Sequence, residues 1–326
     1  MSTRSPFRPP RWRWVLAGLL VAVVAVTGVM VATRSDPPRA PRFRPPDGTA
    51  YLGVSTDAAR LPPFVRAAGR TPALYGRWTT PDGPVQPVLD DAARGGYAPV
   101  VHWNVPMDGQ RITSGRQDGY LKAQAAAVRA YGRPVFLRLD WEFNTGVNPS
   151  WSPPAVPPEQ YVASWRHITD LFADVDNVAF VWCPGTWPSP EGHRVAEWWP
   201  GDDVVDWVGL DAYPQSAAPD YLRGGPDGMD EVARFAAAHG KPLMLAEWAP
   251  DLPHPDTAAP VDLVLDWAEA HPVVQALLYF DFVVGGKDFR LSAHPVGAAV
   301  YRRRTADRTR YLDRVLTESG VARQIE

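Results

Sequence analysis

The sequence has very little cysteine and very little lysine. Cys183 is the single cysteine among 326 residues, so neither an internal disulfide framework nor a cysteine-based zinc site can form. No HExxH motif is present, and isolated histidines such as His102 and His193 usually serve hydrogen bonding. Lysine occurs only at positions 122, 241 and 287, so arginine supplies nearly all of the positive charge. We therefore expect no metal site.

Beyond the N-terminal stretch, acidic residues outnumber basic ones. Residues 1–44 contain eight arginines and one acidic residue, Asp36, whereas the whole chain has a net charge of −3. The remainder of the chain therefore carries a net charge of about −10. A net acidic domain argues against nucleic acid as a partner.

Only one long run, near the N-terminus, is both uncharged and strongly apolar. Residues 14–32, WVLAGLLVAVVAVTGVMVA, form a run long enough to cross a bilayer as a helix. The arginines of residues 1–13 predict a cytoplasmic basic segment before this signal-anchor. A cleaved signal peptide is the alternative, although MVATRS offers a poor cleavage site. Residues 33–49, rich in proline and arginine, are interpreted as a semi-extended linker. The predicted location is the cell membrane, single-pass with the remaining domain extracytoplasmic, or the exterior if the signal is cleaved.

Eight short apolar runs follow, and amphipathic helical stretches such as residues 117–132 and 158–175 lie between many of them. Eight strands alternating with helices over about 270 residues predict an α/β protein, a (β/α)8 TIM barrel at residues 50–322. A doubly wound sheet is the alternative, but no glycine-rich phosphate loop follows the first run. The runs are YLGVST (51–56), ALYGRW (73–78), APVVHWNV (98–105), PVFLRLD (134–140), VAFVWCP (178–184), DWVGLDAYP (206–214), KPLMLAEW (241–248) and QALLYFDF (275–282).

Two glutamates follow buried runs in positions that suit catalysis. Glu142 comes after the fourth predicted strand and Glu247 lies at the end of the seventh. In such a barrel the active site forms at the carboxyl ends of the strands. Side chains from these two strands can approach to roughly 5 Å, the carboxylate separation of a retaining glycosidase. The alternative for Glu142 alone is an exposed loop acid.

Four motifs in order resemble glycoside hydrolase family 26 of clan A, whose best-known members are endo-β-1,4-mannanases. They are LRLDWEFN (137–144), VGLDAYP (208–214), KPLMLAEW (241–248) and the late YFDF…KDFRL (279–291). The resemblance runs from about residue 51 to residue 301. It implies a TIM-barrel glycosidase that needs no cofactor.

The resemblance also implies roles for individual residues. Glu142 would be the proton donor, Glu247 the nucleophile, and Tyr213 the hydrogen-bonding partner of that nucleophile. Asp211 corresponds to a family position near the reacting sugar. One departure is Trp141, because family mannanases usually have histidine immediately before the acid/base glutamate. That difference puts mannan specificity in doubt.

Aromatic and polar side chains at other strand ends are further candidates for binding sugar. The chain contains 14 tryptophans, and aromatic faces stack on the apolar faces of sugar rings, although core packing is the usual role of any one of them. Trp103 and Trp248 are the first choices because each directly follows apolar strand residues. Trp151 and Trp187 are among the other rim candidates. The predicted substrate-binding residues are Trp103, His102, Arg138, Trp141, Asn144, Asp211, Trp248 and Asp281.

The sequence thus predicts a retaining glycoside hydrolase that acts on a β-linked polysaccharide and resembles an endo-β-1,4-mannanase. A β-glucanase or xylanase of the same family is one alternative, and a catalytically silent glycan-binding barrel at the cell surface is another. Predicted partners are the polysaccharide and, through the N-terminal helix, the membrane. The chain is expected to be a monomer.

Overall fold

Eight parallel strands form the centre of the protein in the computed structural model, and each is hydrogen-bonded to the next in chain order. β8 also pairs with β1, from Tyr51 opposite Ala276 to Ser55 opposite Phe280, so the sheet closes on itself. The predicted eight-stranded parallel barrel is therefore confirmed. The strands are β1 Ala50–Ser55, β2 Leu74–Trp78, β3 Ala98–Trp103, β4 Val135–Leu139, β5 Val178–Trp182, β6 Trp207–Ala212, β7 Leu243–Trp248 and β8 Val274–Phe280.

The structure describes residues 39–105, 107, 109–145, 156–186, 189, 192–214, 225–250 and 256–317. The predicted cytoplasmic segment at 1–13 and the predicted membrane span at 14–32 lie outside these residues. Within the described ranges, no helix combines the length and the apolar character needed to cross a membrane.

Helices connect most of the strands and begin and end at recognisable residues. Proline stands at the first or second position of several helices, where its missing N–H costs nothing. Gly69, Gly96 and Gly132 follow three helices in the left-handed conformation that ends a helix. The helices are α1 Leu61–Ala68, α2 Gln86–Gly95, α3 Gly109–Thr113, α4 Asp118–Tyr131, α5 Pro158–Leu171, α6 Met229–Ala238, α7 Ala259–Ala270 and α8 Pro295–Arg304. The β5–β6 connection contains a short 3-10 segment, Val195–Trp198.

Alternation along the strands divides the core into two layers. Inward-facing side chains such as Val100, Phe136 and Trp207 fill the barrel interior. Outward-facing side chains such as Val101 and Leu137 pack in the layer that also holds buried helix residues. The mouth of the barrel, at the carboxyl ends of the strands, is where the inward-facing positions become polar.

Residues 39–49, the second half of the predicted linker, lie against the amino-terminal end of the barrel. Trp207 Nε1 donates to Arg42 O at 2.8 Å, and Arg42 Nη1 donates to Val178 O at 3.0 Å. The Phe43 ring meets the Phe136 ring edge-on, with centroids 5.7 Å apart. Over these residues the structure differs from the expected semi-extended linker, because Phe43 covers the apolar barrel floor.

The chain after β8 forms a hairpin and then returns to the floor. The two-residue strands β9 Val283–Val284 and β10 Lys287–Asp288 pair in antiparallel fashion across two glycines. After α8, β11 Tyr311–Leu312 pairs in parallel with the start of β1. The described chain therefore enters and leaves the barrel at the same end.

Candidate active site

The residues after β4 form a tight turn that lifts Glu142 to the mouth. Asp140 and Glu142 have φ values of 42° and 55°, in the left-handed region that non-glycine residues rarely adopt. Glu142 N donates to Cys183 O at 2.9 Å, and Thr145 N donates to Glu142 O at 3.0 Å. Strain of this kind persists where neighbouring contacts fix the backbone, and it often marks a functional residue.

Asn144 joins this turn to the loop after β5. Its Nδ2 donates to Gly185 O at 3.1 Å, and its Oδ1 accepts from Gly185 N at 2.8 Å. A Cβ at Gly185 would lie 3.4 Å from the Glu142 side chain and closer still to Thr145. The predicted substrate-binding residue Asn144 is fully buried. Its observed contacts hold the backbone that carries Glu142.

A β-bulge directs Glu247 into the barrel. Leu210 pairs with Leu245, but the next pair along the two strands is Asp211 with Glu247, so β7 contains one extra residue at this point. Met244 and Ala246 already face inward, and strict alternation would send Glu247 outward. The bulge instead places Glu247 beside Asp211.

Glu247 is held by two donors, one on β4 and one directly after β6. Arg138 Nη1 donates to Glu247 Oε1, and Tyr213 OH donates to Glu247 Oε2 at 2.5 Å. The Glu247 residue is 5% exposed, so one edge of it faces the mouth. This is the contact that the resemblance implied for Tyr213.

Arg138 is the single cation at the centre of this cluster among the described residues, and its side chain is fully buried. Besides Glu247, its guanidinium forms an ion pair with Asp211. Asp211 in turn lies 3.6 Å from Cys183 Sγ, through its other oxygen. Arg138 and Asp211 are therefore brought together, but neither is exposed by more than 1%. They support Glu247 rather than face the solvent.

His102, on β3, connects Arg138 to Ser55 at the end of β1. Arg138 Nη1 lies 3.0 Å from His102 Nδ1, and Ser55 Oγ lies 3.0 Å from His102 Nε2. Because arginine only donates, Nδ1 must accept and Nε2 must carry the proton. Burial first, and then the Arg138 charge, lowers the pKa of His102 well below its ordinary value. His102 is thus a neutral support for Arg138, with both ring nitrogens occupied.

Glu142 has surroundings opposite to those of Glu247. Within the described part of the chain its carboxyl group makes no hydrogen bond or ion pair, and the residue is 8% exposed. Burial raises the pKa of Glu142 to about 7, and the negative charge of Glu247 adds to that increase. The site therefore holds one carboxyl group that keeps its proton near neutral pH beside one that is paired with a guanidinium.

Trp103 and Trp248 were expected to bind sugar at the mouth, but the structure shows both fully buried. Their side chains point outward from the barrel and pack in the layer that also holds buried helix residues. Trp103 Nε1 donates to Tyr120 OH on α4, and the Trp248 ring packs against Tyr279 and Tyr301. Successive side chains of a strand point to opposite faces. Since His102 and Glu247 point into the barrel, the rings of Trp103 and Trp248 next to them point outward and away from the mouth. Trp151 and Trp187 lie outside the described residues.

Other aromatic rings do reach the mouth. Trp78 is half-buried, stacks on His102 at 4.3 Å between centroids, and meets Phe280 and Phe282 edge-on. Trp141 is 6% exposed, with the Arg138 guanidinium 5.5 Å from its ring centroid. These rings form an apolar face at the mouth, and Trp141 directly precedes Glu142 in the chain.

Asp281, predicted to bind substrate, fixes the loop after β8 instead. Asp281 N donates to Ser55 O at 3.0 Å, and Asp281 Oδ1 accepts from Leu291 N at 2.7 Å. The residue is 1% exposed, and burial raises its pKa to about 6. Its contacts are those of a structural residue near the mouth.

Two further residues belong to the site but were not singled out from the sequence. Ser55 ends β1 and bonds His102, and Gly185 receives the Asn144 amide. Their signal was position alone, since each directly follows or ends an apolar run. Within the described ranges no group of three or more acidic, histidine or cysteine side chains is placed to hold a metal ion.

Comparison with known proteins gives a consistent result. Residues 121–240 match the model of glycosyl hydrolase family 26. The chain is 30% identical over 152 residues to a beta-1,3-xylanase of Vibrio sp.. The aligned region covers 45% of this chain and 30% of that protein. It is also 26% identical over 218 residues to endoglucanase H of Acetivibrio thermocellus. The aligned region covers 61% of this chain and 24% of that protein. The chain thus spans less than a third of the length of these curated relatives.

A solved structure shares the fold. The endo-beta-1,4-mannanase of Cellulomonas fimi, described as a family 26 mannanase, superposes with a TM-score of 0.62 over 85% of this chain and 74% of that chain. The two sequences are 17% identical. At that identity the likeness is one of barrel architecture.

Proposed function

We propose that the chain, whose residues 121–240 match glycosyl hydrolase family 26, hydrolyses a β-linked polysaccharide with retention of anomeric configuration, using Glu142 as acid/base and Glu247 as nucleophile. The observation that carries this proposal is the contrast between the two carboxyl groups. Burial raises the pKa of Glu142 to about 7. Arg138 and Tyr213 hold Glu247. A pair of titratable groups with divergent surroundings is the usual basis for assigning acid and nucleophile.

In the first step Glu247 attacks the anomeric carbon and forms a glycosyl ester with it. The bond between that carbon and the glycosidic oxygen breaks, and Glu142 gives its proton to the departing oxygen. Arg138 and Tyr213 keep the attacking carboxylate oriented as its charge moves into the new bond.

In the second step water attacks the same carbon from the side that the leaving group vacated. Glu142, now ionised, accepts a proton from the water, and the bond to Glu247 breaks. The hydroxyl group from water stays on the sugar, Glu142 regains its proton, and Glu247 becomes a free carboxylate again. Two inversions give net retention.

The proposed substrate is mannan-like, with xylan and β-glucan as the alternatives. The fold neighbour from Cellulomonas fimi is named as a β-1,4-mannanase, whereas the relatives in sequence are named as a beta-1,3-xylanase and an endoglucanase. Trp141, in the position where the family usually has histidine, makes the sugar preference of this chain an experimental matter.

The test is release of reducing sugar by the full-length protein from β-1,4-mannan, β-1,3-xylan, β-1,4-xylan and mixed-linkage glucan. Glu142→Gln should lower the rate by about 10²- to 10⁴-fold, and Glu247→Gln by at least as much. Glu159→Gln, at an exposed position in the first turn of α5, is the matched control and should leave the rate unchanged. Proton NMR of the first product should show the β anomer. Release of the α anomer, or full activity in either site variant, would refute the mechanism.

Binding of one glycan without cleavage, unaffected by both glutamate substitutions, would instead identify a glycan-binding barrel. The same purified wild-type protein serves for both measurements. Its elution volume during gel filtration would check the monomer that we propose.

We also propose that the N-terminal run at residues 14–32 anchors the protein in the cell membrane with the barrel outside the cytoplasm. The support is its uncharged length and the arginines before it. Alkaline carbonate extraction of membranes should leave the full-length chain in the pellet, and protease added outside intact cells should degrade the barrel. Recovery of active protein from culture medium would contradict the anchor.

A further inference from the structure

Arginine is concentrated in one short segment near the end of the described chain. Residues 302–314 contain six arginines and only two acidic residues, although acids outnumber basic residues beyond residue 44. Basic residues favour the last turn of a helix, and three of the six arginines end α8. The other three, at positions 308, 310 and 314, lie beyond that helix, so the helix dipole does not account for them.

Only part of this positive charge is neutralised. Arg304 forms ion pairs with acidic side chains of α7, and Arg308 forms one with Asp313. Arg302 Nη1 donates instead to the carbonyl oxygen of Ala67, at 3.0 Å, so its charge stays unpaired. Several arginines in and beside this segment therefore have no ion pair within the described residues, and they are Arg66, Arg302, Arg310 and Arg314.

These four arginines lie toward the floor of the barrel, on the side of β8 and β1. Arg66 and Arg302 stand in the last turns of α1 and α8, and both line one surface pocket between these helices. Arg310 O accepts a hydrogen bond from Ala50 N at 2.9 Å, at the start of β1. Arg314 follows β11, which pairs with the first residues of β1. We call Arg66, Arg302, Arg310 and Arg314 the basic floor surface.

The other side of the floor carries acidic residues instead. The connection from α5 to β5 exposes Asp174 and Asp176, and the connection that leads into β6 contains Asp202 and Asp203. In the closed ring of eight strands, β5 lies opposite β1. Charge is therefore separated across the floor, and an extended anionic surface would meet the side of β8 and β1.

The N-terminal end of the described chain also lies at the floor. Arg39, the first described residue, donates its backbone N–H to Asp202 O at 3.1 Å. Only residues 33–38 separate it from the uncharged run at 14–32. A chain of this length spans at most about 25 Å when fully extended. With that run in the membrane, as proposed above, the floor cannot lie farther than this from the lipid headgroups.

We propose that the basic floor surface binds anionic phospholipid headgroups, so that the barrel rests on the membrane with the side of β8 and β1 facing the bilayer. This inference rests on the proposed membrane anchor, and it does not depend on the hydrolase chemistry. A guanidinium matches a phosphate group with two parallel hydrogen bonds and stays charged at physiological pH. Its attraction to anionic lipid fades within a Debye length, about 8 Å at physiological ionic strength. Docking therefore requires contact, which the short connection at 33–38 permits.

The consequence is an orientation for the active site. The mouth is at the carboxyl ends of the strands, opposite the floor, so Glu142 and Glu247 would face away from the bilayer. Polysaccharide would then reach the site from the surrounding medium rather than from lipid-linked chains at the membrane surface.

The experiment measures how closely the floor approaches the headgroups in the full-length protein. Vesicles contain either phosphatidylcholine alone or phosphatidylcholine with phosphatidylglycerol in a three-to-one ratio. Cys183 is buried, so a fluorophore can be attached to one introduced cysteine. Ala306→Cys labels the basic side of the floor, and Ala173→Cys labels the acidic side at a matched, exposed alanine. A lipid with a nitroxide on its headgroup quenches only the fluorophores that approach it closely.

Quenching at Ala306→Cys should be several-fold stronger in vesicles with phosphatidylglycerol than in vesicles without it. It should be lost at about 1 M salt, where the Debye length is about 3 Å. Quenching at Ala173→Cys should stay weak in both kinds of vesicle. Arg302→Gln combined with Arg310→Gln should lower the ratio of docked to undocked protein about 25-fold, because each arginine near an anionic surface contributes about fivefold.

Arg116→Gln combined with Arg234→Gln is the matched control. Both arginines are exposed and have no ion pair within the described residues, so this pair removes the same charge elsewhere on the surface. Quenching at Ala306→Cys should then match that of the unsubstituted protein. Equal losses in the two pairs of variants would mean that net charge alone acts, and would overturn the inference.

The remaining outcomes separate the lipid contact from the proposed anchor and from the hydrolase. Equal quenching at the two labelled positions, or quenching that ignores phosphatidylglycerol, would refute the contact while the protein stays in the vesicles. If carbonate extraction releases the protein, the anchor fails. Sedimentation of the released protein with phosphatidylglycerol vesicles, weakened by the Arg302 and Arg310 substitutions, would still support the contact. Binding of an anionic wall polymer in place of the vesicles would overturn lipid as the partner. Reducing-sugar release is measured separately, so loss of the contact leaves the hydrolase proposal standing.

Discussion

Glu142 and Glu247 are identical side chains to which the barrel gives different partners. Glu247 faces a guanidinium and a phenol, whereas the carboxyl group of Glu142 makes no hydrogen bond or ion pair in the described structure. Since burial penalises the charged form, the isolated group is the one whose pKa rises. The two glutamates therefore have different proposed roles because Arg138 binds Glu247 and does not bind Glu142.

The pH profile should report this division. With Glu142 as the acid in the free enzyme, kcat/KM should fall as the pH rises through about 7. In Glu247→Gln the neighbouring charge is gone, so the Glu142 pKa should decrease while remaining above its ordinary value because of burial. Carbon-13 NMR titration of the glutamate carboxyl signals in both proteins checks the shift. An unchanged Glu142 pKa in the variant would mean that the two carboxyl groups do not interact.

Asp140 should cost stability at neutral pH. It is fully buried, neither carboxyl oxygen has a hydrogen bond of normal geometry within the described ranges, and the nearby Met107 backbone N–H only partly offsets the burial. Burial raises its pKa well above the ordinary value, so stability should fall as the pH rises from the unfolded pKa through the folded one. Asp140→Asn should therefore raise the free energy of unfolding by about 1–2 kcal/mol at pH 8, which raises the melting temperature by a few degrees. At pH 4 the melting temperature should hardly change.

The control is Asp203→Asn, for which the sign is opposite. The hydrogen bond from Arg166 lowers the pKa of Asp203, so its contribution is present above the unfolded pKa and is lost as the pH falls. This variant should be less stable than the wild-type protein at pH 8. A lower melting temperature for Asp140→Asn at pH 8 would show that the Asp140 carboxylate has a stabilising partner.

At the scale of elements, the glycines of the strands leave room for the polar cluster. Gly76 lies inside β2, and a Cβ there would be 2.7 Å from His102 Nε2 and closer still to Ser55 Oγ. The Ser55–His102 contact therefore occupies the space that any other residue would need. Through His102 this space determines where Arg138, and hence Glu247, can sit.

Gly76→Ala should accordingly lower kcat/KM by at least about tenfold, because displacement of His102 shifts the support of the nucleophile. Gly119→Ala in α4 is the control, since no atom lies within 4 Å of the added Cβ and alanine favours a helix. That variant should gain up to about 1 kcal/mol and keep its activity. Full activity of Gly76→Ala would separate His102 from the support of Glu247.

Periodicity predicted the elements well, but not the details of the site. All eight apolar runs are strands, and the predicted helices at 117–132 and 158–175 occur as α4 and α5. Trp103 was misplaced although alternation from His102 was readable in the sequence. The bulge that turns Glu247 inward was not readable, because it depends on how β7 pairs with β6. The Asn144–Gly185 contact likewise joins residues 41 positions apart.

For the whole molecule, the resemblance to family 26 is confirmed by the match over residues 121–240, while hydrolysis and its substrate stay proposals. The resemblance could be predicted because four motifs lie at the ends of β4, β6, β7 and β8 of one barrel. The sugar preference could not, because it depends on loops around the mouth, several of which lie outside the described residues.

The floor segment should contribute to the stability of the whole barrel. Removing residues 39–49 uncovers Phe136 and Trp207 and leaves Asp206 without the Arg42 N–H donor. A protein that begins at residue 50 should melt roughly 5–10 °C below one that begins at residue 39. Differential scanning calorimetry of the two proteins measures the difference. Equal melting temperatures would show that the segment only rests on the floor.

The return of the chain to that floor has a consequence for rearranging the gene. Ala50 pairs with Tyr311, Tyr51 pairs with Leu312, and Leu316 N donates to Tyr51 OH, so the first and last strands of the domain meet. Domains with neighbouring ends tolerate circular permutation and insertion into other proteins. If a short peptide joined residue 317 to residue 39, the protein could be circularly permuted so that its new termini lie in a surface loop. The barrel could equally be carried inside a loop of a host protein, with its mouth left open.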